Sequence, residues 1–94
     1  MQFEWDENKN AANLEKHGID FSTAIAVFDD PNRLEEDSTK SEYEEVRIKT
    51  IGKVDALVFV LTVVYTNRDE KRRLISARCA SKAERQKYNE SLIN

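Results

Sequence analysis

The apolar positions of this chain change their spacing along its length, which predicts helices in the first third and strands in the second half. Residues 2–5 are typical of a short strand. Asp6 then has the character of a helix N-cap, and the helix should end at Gly18, which can adopt the left-handed cap conformation. In residues 20–31 the apolar side chains recur at i, i+3, i+4 and i+7, which predicts a second helix with one apolar face: Phe21, Ala24, Ile25 and Phe28.

The middle of the chain is polar and acidic before it becomes strongly apolar. Residues 32–45 are expected to form a largely mobile loop, in which Leu34 is a candidate strand start. A strand is predicted from Tyr43 to Ile51, followed by a turn from Gly52 to Asp55. The run ALVFVLTVVY at residues 56–65 lacks polar alternation and is rich in β-branched residues, which predicts a central strand covered on both faces.

The last third of the chain completes the predicted fold. The segment TNRDEK is typical of a hairpin turn, although it lacks the glycine that tight hairpins favour, and Arg72 to Cys79 is the next strand. Ser81 with Glu84 three residues later forms a capping box for a last helix. The order is a short strand, two helices, three or four further antiparallel strands and a C-terminal helix. This predicts an α+β two-layer domain, with the helices on one face, over residues 1–94.

The charge of the chain is unevenly distributed, although its formal net charge is only −3. Residues 1–45 hold 4 basic and 13 acidic side chains, whereas residues 46–94 hold 11 basic and 5 acidic ones. The second part can therefore present a positive face to a nucleic acid, but ordinary surface charge that neutralises itself in the fold explains the same numbers. We expect the acidic side chains of residues 35–44 to lie away from any phosphate site or to meet a basic partner.

Several classes of protein are disfavoured by what the chain lacks. One cysteine, Cys79, and one histidine, His17, allow no intramolecular disulfide, no two-histidine acid–base pair and no metal-ligating cluster. The apolar run is about half as long as a membrane-spanning helix needs, and no signal peptide is expected because the first residues are acidic. We therefore expect a cytoplasmic protein with no metal, no cofactor and no membrane association.

The segment RLISAR, residues 73–78, is a predicted strand with an arginine at each end. Arg73 and Arg78 are an odd number of positions apart, so a regular strand would point them to opposite faces of the sheet. A small domain rarely buries an arginine without a partner, and the planar donor fork of guanidinium suits phosphate. We therefore expect at least one of them at the rim of a site. Ser76 lies between them without the GxSxG pattern of a serine hydrolase.

The first predicted helix carries Lys9, Asn13 and His17 at i, i+4 and i+8, which places them along one stripe. An ammonium, an amide and an imidazole in line can hold a phosphodiester, and a histidine can move protons near neutral pH. The competing interpretation is structural, because a histidine just before a C-cap glycine interacts favourably with the helix dipole. Both interpretations stay open at this point.

Three blocks of the sequence together resemble the BrnT family of type II toxins. They are FEWDENKNAANLEKHGIDFSTA, VRIKTIG and YTNRDEKRRLISARCASKAERQKY, which cover the first 28 residues and most of residues 43–90. The resemblance implies a fold similar to that of the RelE ribonuclease toxins, and a ribonuclease activity that arrests translation. It also implies a BrnA-type antitoxin partner, which neutralises the toxin and binds operator DNA.

The resemblance falls on particular positions of this chain. In the three blocks these are Lys9, Asn13, Lys16, His17 and Gly18; Arg47 and Gly52; and Thr66, Arg68, Arg73, Ile75, Ser76, Ala77, Arg78, Ala80, Glu84 and Tyr88. Two positions depart from the family pattern. Cys79 stands where a basic residue is common, and Asp69 stands where a turn glycine is common.

The resulting hypothesis is a metal-independent endoribonuclease that uses the 2′-OH of RNA as its nucleophile. Its catalytic residues would be Arg47, Arg73 and Arg78 at the phosphate, with His17 as general base or acid and Lys9 as its rival. Its substrate-binding residues would be Asn13, Thr66, Ser76 and, at the rim, Arg68.

Two other functions compete with this one. The alternative is an inactive module of the same fold, which binds the antitoxin and acts in operator autoregulation. Direct DNA binding is disfavoured because no helix concentrates basic side chains, so operator DNA should be contacted only through the antitoxin. A homodimer and a toxin–antitoxin heterotetramer both stay open.

Overall fold

The computed structural model describes residues 2–55 and 57–93, in which five strands form one sheet of order β1-β5-β4-β3-β2. The predicted α+β layout is confirmed. The sheet is mixed, because β1 runs parallel to β5 while the other neighbours are antiparallel. The elements in chain order are β1 (Gln2–Glu4), α1 (Glu7–His17), α2 (Phe21–Ala24), a 3₁₀ helix (Ile25–Asp29), β2 (Leu34–Asp37), β3 (Ile48–Val54), β4 (Phe59–Arg68), β5 (Lys71–Cys79) and α3 (Lys82–Ile93).

The ends of the first helices are fixed by the predicted caps. The Asp6 carboxylate accepts a hydrogen bond from the Asn8 N–H at 2.7 Å, and Gly18 ends α1 in the left-handed conformation with φ 73°. Asp20 caps α2 in the same way. The sequence predicts a second helix that starts near Asp20 or Ser22 and ends at residues 29–31. This prediction is wrong in part, because one α turn continues as the 3₁₀ helix, in which Val27 and Phe28 are buried.

The strand start predicted at Leu34 is confirmed, because β2 begins there and pairs with β3 from Leu34↔Ile51 to Asp37↔Ile48. Two other predictions about the middle of the chain are wrong. The strand predicted from Tyr43 begins only at Ile48 and continues to Val54, so Gly52 lies inside a strand rather than in a turn. The glycine is needed there because the 3₁₀ helix packs directly on it, and an added Cβ would lie 2.6 Å from Val27 Cγ2.

The predicted hairpin between β4 and β5 is confirmed. Asp69 and Glu70 occupy its two-residue turn with φ values of 52° and 64°. Positive φ at both central residues is the geometry of a type I′ turn, which matches the twist of the flanking strands. Aspartate tolerates this region better than most residues, so a turn without glycine is sterically acceptable at position 69.

The helices lie on both faces of the sheet, so the prediction of helices on one face is wrong. One face, the α2 face, packs against α2 and the 3₁₀ helix through the strand residues Val54, Leu61, Val63, Tyr65, Leu74 and Ala77. The opposite face, the α3 face, packs Ile51 against Tyr88 of α3. The capping box marks where α3 begins but carries no information about the face on which it docks.

Two polar contacts fix the position of α3. Glu84 accepts a hydrogen bond from the buried Thr62 hydroxyl of β4 at 2.9 Å. Tyr88 donates to Asp30 Oδ2 at 2.5 Å, and burial together with this hydrogen bond raises the pKa of Tyr88 to about 12. None of the helices in residues 2–55 and 57–93 is long and apolar enough to cross a membrane.

An aromatic cluster closes one end of the α2 face. The Phe28 ring centroid lies 5.2 Å from those of both Phe3 and Tyr65. Arg72 covers this cluster, with its Cζ atom 4.4 Å from the Phe28 centroid, which is a favourable cation–π distance. Arg72 therefore packs on the core of the α2 face, opposite to α3.

Replacing Gly52 by alanine should destabilise the fold by about 1–3 kcal/mol, because the new methyl group would overlap Val27. Thermal or urea unfolding measures the change. The cost should be smaller in a Val27→Ala background, where the nearest methyl group is gone. An equal cost in both backgrounds would contradict the packing argument, and Lys53→Ala, at the exposed neighbouring position, is the control.

Candidate functional site

A β-bulge in β5 brings the RLISAR arginines to the same face of the sheet. Thr62 faces Arg78 and Val64 faces Ser76, but the next pair is Tyr65 with Leu74, so Ile75 has no partner in the ladder. The extra residue reverses the alternation, and Arg73 then faces Thr66 on the α3 face. The expectation that Arg73 and Arg78 point to opposite faces is therefore wrong. Their partners are four residues apart on β4, which separates their Cα atoms by about 13 Å.

Arg73 and Ser76 lie on the part of the α3 face that is only half buried. Arg73 Nη1 donates to Glu4 Oε2 at 2.6 Å, because the parallel pairing places Glu4 beside Arg73. The Ser76 side chain has no hydrogen-bond partner within residues 2–55 and 57–93. Thr66 lies opposite Arg73 but is buried, and its hydroxyl donates to the Val46 carbonyl oxygen at 2.7 Å.

Arg78 forms a two-pronged ion pair with Glu84. Its Nη1 lies 2.7 Å from Glu84 Oε1 and its Nη2 lies 3.0 Å from Oε2, and Nη1 also donates to the Cys79 carbonyl oxygen at 3.3 Å. The Glu84 side chain is 9% exposed, whereas that of Arg78 is 37% exposed. The pair therefore joins a buried carboxylate to a guanidinium that reaches solvent.

Glu84 accepts hydrogen bonds or charge contacts from five donors. Besides the two nitrogens of Arg78, these are the Thr62 hydroxyl, the Ser81 N–H at 2.8 Å and Lys49 Nζ at 3.2 Å. The guanidinium of Arg78 is the main reason that the pKa of Glu84 lies far below its usual value, although burial opposes the shift. The same hydrogen bonds raise the pKa of Arg78.

The ion pairs continue from Glu84 into the acidic segment. Lys49 lies between Glu84 and Glu36, 3.5 Å from Glu36 Oε1, and Lys87 donates to Glu36 Oε2 at 2.8 Å. Lys49 therefore bridges Glu36 to the Arg78–Glu84 pair. This contradicts the expectation that the Glu36 carboxylate lies away from the site. Glu35 follows the expectation, because it points to the α2 face, where it accepts from the Tyr65 hydroxyl.

Arg47 and Arg68 share one carboxylate. Arg68 Nη2 lies 3.2 Å from Glu45 Oε2, and Arg47 Nε lies 3.6 Å from Oε1. The guanidinium of Arg47 also stacks on Tyr43, with Cζ 3.8 Å from the ring centroid. Arg68 lies at the hairpin end of β4 with its side chain 52% exposed, which places it at the rim of the four predicted site arginines, Arg47, Arg68, Arg73 and Arg78.

The α1 residues lie along the outer edge of β5. Asn13 is buried, where its amide donates to the Ile19 and Ala77 carbonyl oxygens and accepts from the Ala77 N–H. Both amide hydrogens are therefore used within the fold. Lys9 is exposed and His17 half buried, one turn before and after Asn13, and neither side chain has a hydrogen-bond or ion-pair partner in the described part of the chain.

The sequence does not predict which carboxylates pair with the arginines. Glu84 has a capping-box role and matches a position of the family pattern, but neither observation predicts its pairing with Arg78. Lys49 could have been found, because it lies two positions after Arg47 in a predicted strand. Glu4 could not, because its place beside Arg73 follows from a parallel pairing of distant segments.

One comparison with known proteins gave a match. The family model described as "Ribonuclease toxin, BrnT, of type II toxin-antitoxin system" matches residues 5–84. A search of curated proteins found no match. The matched range includes every arginine of the site and ends at Glu84.

The Arg78–Glu84 pair should make stability depend on pH. Because the pKa of Glu84 is lowered by folding, its contribution is present above the usual value of 4.5 and is lost as pH falls below it. We expect Glu84→Gln to lower the free energy of unfolding by about 2–3 kcal/mol near pH 7. This difference from wild type should shrink between pH 5 and pH 2, as chemical denaturation at each pH would measure.

A matched control is Glu15→Gln, which removes an exposed carboxylate of α1 that makes no ion pair among the described residues. It should change the free energy of unfolding by less than about 0.5 kcal/mol. A Glu84→Gln deficit that stays constant across this pH range would contradict the assigned ion pair.

Proposed function

Because the chain belongs to the BrnT family of ribonuclease toxins of type II toxin–antitoxin systems, we propose that it is a metal-independent endoribonuclease. Family membership also gives it an antitoxin partner. The observation that best supports the proposal is the β-bulge at Ile75. It brings Arg73, Ser76 and Arg78 to the α3 face of the sheet, where all three are half buried.

RNA supplies its own nucleophile for this reaction. The 2′-oxygen attacks the adjacent phosphorus, its proton passes to a base, and the bond to the 5′-oxygen of the next nucleotide breaks as that oxygen takes up a proton. The products are a 2′,3′-cyclic phosphate and a free 5′-hydroxyl. Negative charge builds on the phosphate oxygens in the transition state, where fixed guanidinium groups stabilise it more than they stabilise the substrate.

We assign the phosphate contacts to Arg47, Arg73 and Arg78. Arg68 at the rim and the unpaired hydroxyl of Ser76 are the proposed substrate-binding groups. Thr66 and Asn13 are buried and have their donors engaged, so their proposed roles are to hold the Val46 backbone and the α1–β5 contact in place. Proton transfer is assigned to His17, with Lys9 as the alternative, because both lie on α1 without a competing partner among the described residues.

The remaining assignments follow from the family rather than from the geometry. The partner is proposed to be a BrnA-type antitoxin, and operator DNA is contacted only through it. The site of action is the cytoplasm. The proposed assembly is a homodimer or a toxin–antitoxin heterotetramer.

A second function is favoured by the ion pairs of the site. Arg47, Arg68, Arg73 and Arg78 each meet a carboxylate. An inactive module that binds its antitoxin and takes part in operator autoregulation would show the same pairing. The two functions differ in whether the chain cleaves RNA and arrests growth.

Replacing Arg78 by alanine should lower kcat/KM for RNA cleavage by about 100- to 1,000-fold, because one transition-state donor is lost. The assay uses purified protein and RNA in the presence of EDTA. Arg33→Ala is the matched control, since Arg33 pairs with Glu35 away from the site and should leave cleavage unchanged. Unchanged cleavage by Arg78→Ala would refute its role, and loss of wild-type cleavage in EDTA would refute the metal-free mechanism.

Induced expression separates the toxin from the inactive module. The wild-type chain should arrest growth and protein synthesis within minutes, whereas Arg78→Ala should not, provided that it accumulates in folded form. Co-expression of the antitoxin should restore growth. Growth of the wild-type strain without arrest, together with retained antitoxin binding, would favour the inactive module.

A further inference from the structure

We propose that Glu84 is a positioning residue for the ribonuclease reaction: it holds one edge of the Arg78 guanidinium and leaves the other edge free for an RNA phosphate. The inference rests on the proposed function and deepens it. It assigns Glu84 a task that neither the capping box nor the family description gives it.

The donors of Arg78 divide into a used edge and a free edge. A guanidinium has five N–H donors in one plane. Three of them are engaged, two on the Glu84 carboxylate and one on the Cys79 carbonyl oxygen. The Nε–H and one N–H of Nη2 are left, with no partner in the described part of the chain. These two donors are parallel neighbours, which is the fork that binds two phosphate oxygens at once.

Glu84 can orient this fork because several groups hold it in place. Its side chain is 9% exposed, and the Thr62 hydroxyl, the Ser81 N–H and Lys49 contact its two oxygens in addition to Arg78. Glu84 also lies in the first turn of α3, so the helix backbone fixes the start of its side chain. A long arginine side chain loses much rotamer freedom on binding phosphate, and this fixed anchor removes that loss in advance.

The other arginines of the α3 face lack this arrangement. Arg73 and Arg68 each reach a half-exposed carboxylate through a single terminal nitrogen. Among the described residues, Arg78 alone has both terminal nitrogens on one buried carboxylate. Replacing a whole buried ion pair by apolar residues is often neutral for stability, so two charges at this place suit a role in binding as well as in docking α3.

The local charge stays suited to phosphate despite the buried carboxylate. Arg78, Lys49 and Lys87 supply three positive charges to the connected network, and Glu84 with Glu36 supplies two negative ones. One positive charge is left over. Glu84 therefore orients Arg78 without cancelling the attraction of the group for an anion.

A double-mutant cycle on RNA cleavage tests the proposal. The four proteins are wild type, Glu84→Gln, Arg78→Ala and the double variant. Glutamine is the chosen replacement because it keeps the capping box while it removes the charge. We expect Glu84→Gln to lower kcat about 10- to 100-fold and to raise KM several-fold, because a misaligned Arg78 fork loses part of its contact with the phosphate both in the bound substrate and in the transition state. In the Arg78→Ala background the same change should alter kcat less than about 3-fold.

Two further variants separate positioning from folding. Thr62→Val removes one anchor of Glu84 and should lower kcat several-fold only while Arg78 is present. Tyr88→Phe, on the same helix, breaks the contact with Asp30 and should lower the melting temperature without lowering kcat. Equal losses from Glu84→Gln in both backgrounds, or no loss in either, would overturn the proposal.

A binding measurement distinguishes failure of this inference from failure of the proposed function. The probe is an RNA oligonucleotide with a 2′-deoxynucleotide at the cleavage position, which has a phosphate but no nucleophile. Positioning predicts that Glu84→Gln weakens binding of this probe only when Arg78 is present. If wild type binds the probe with this coupling but cleaves no RNA, the ribonuclease proposal fails and the positioning of Arg78 stands. If binding shows no coupling, the positioning role is refuted whatever the activity.

Discussion

The structure depends most on one buried carboxylate, that of Glu84. Taking a charge out of water is costly, and the cost is offset here by donors from four elements: the start of α3, Thr62 of β4, Arg78 of β5 and Lys49 of β3. Because these donors come from different elements, together they hold the first turn of α3 against the sheet. The contacts that position α3 also position the Arg78 guanidinium, which lies at the edge of the half-buried part of the α3 face.

The second constraint is the β-bulge at Ile75, which changes which side chains of β5 lie on the same face of the sheet. In a regular strand, residues three apart point to opposite faces, so Arg73 could not share a face with Ser76. The unpaired Ile75 removes that limit at one point of β5. The positive side chains of one strand are thereby concentrated on one face, while Arg72 serves the aromatic cluster on the other. A local irregularity of the backbone thus divides the arginines into a core group and a surface group.

Local signals in the sequence predicted much of the fold. Asp6, Gly18 and the Ser81–Glu84 box act within a few residues, so the helix ends that they set could be predicted directly. The features that could not be read depend on distant contacts. The face on which α3 docks, the parallel place of β1 and the need for Gly52 are set by segments far apart in the chain. The site was predicted as a set of residue types, but their carboxylate partners and the shared face arise only from the three-dimensional pairing.

The amide of Asn13 has a consequence for self-association. Within the described residues, the outer edge of β5 has no neighbouring strand beyond Arg73, and Asn13 binds both the N–H and the C=O of Ala77 there, much as another strand would. This edge is therefore closed to a second sheet. The opposite edge, β2, is short and carries Glu35, Glu36 and Asp37, and hydrogen bonds hold the pKa values of Glu36 and Asp37 below their usual range. The carboxylates on β2 and the Asn13 amide bound to β5 should keep the sheets of two molecules from joining edge to edge.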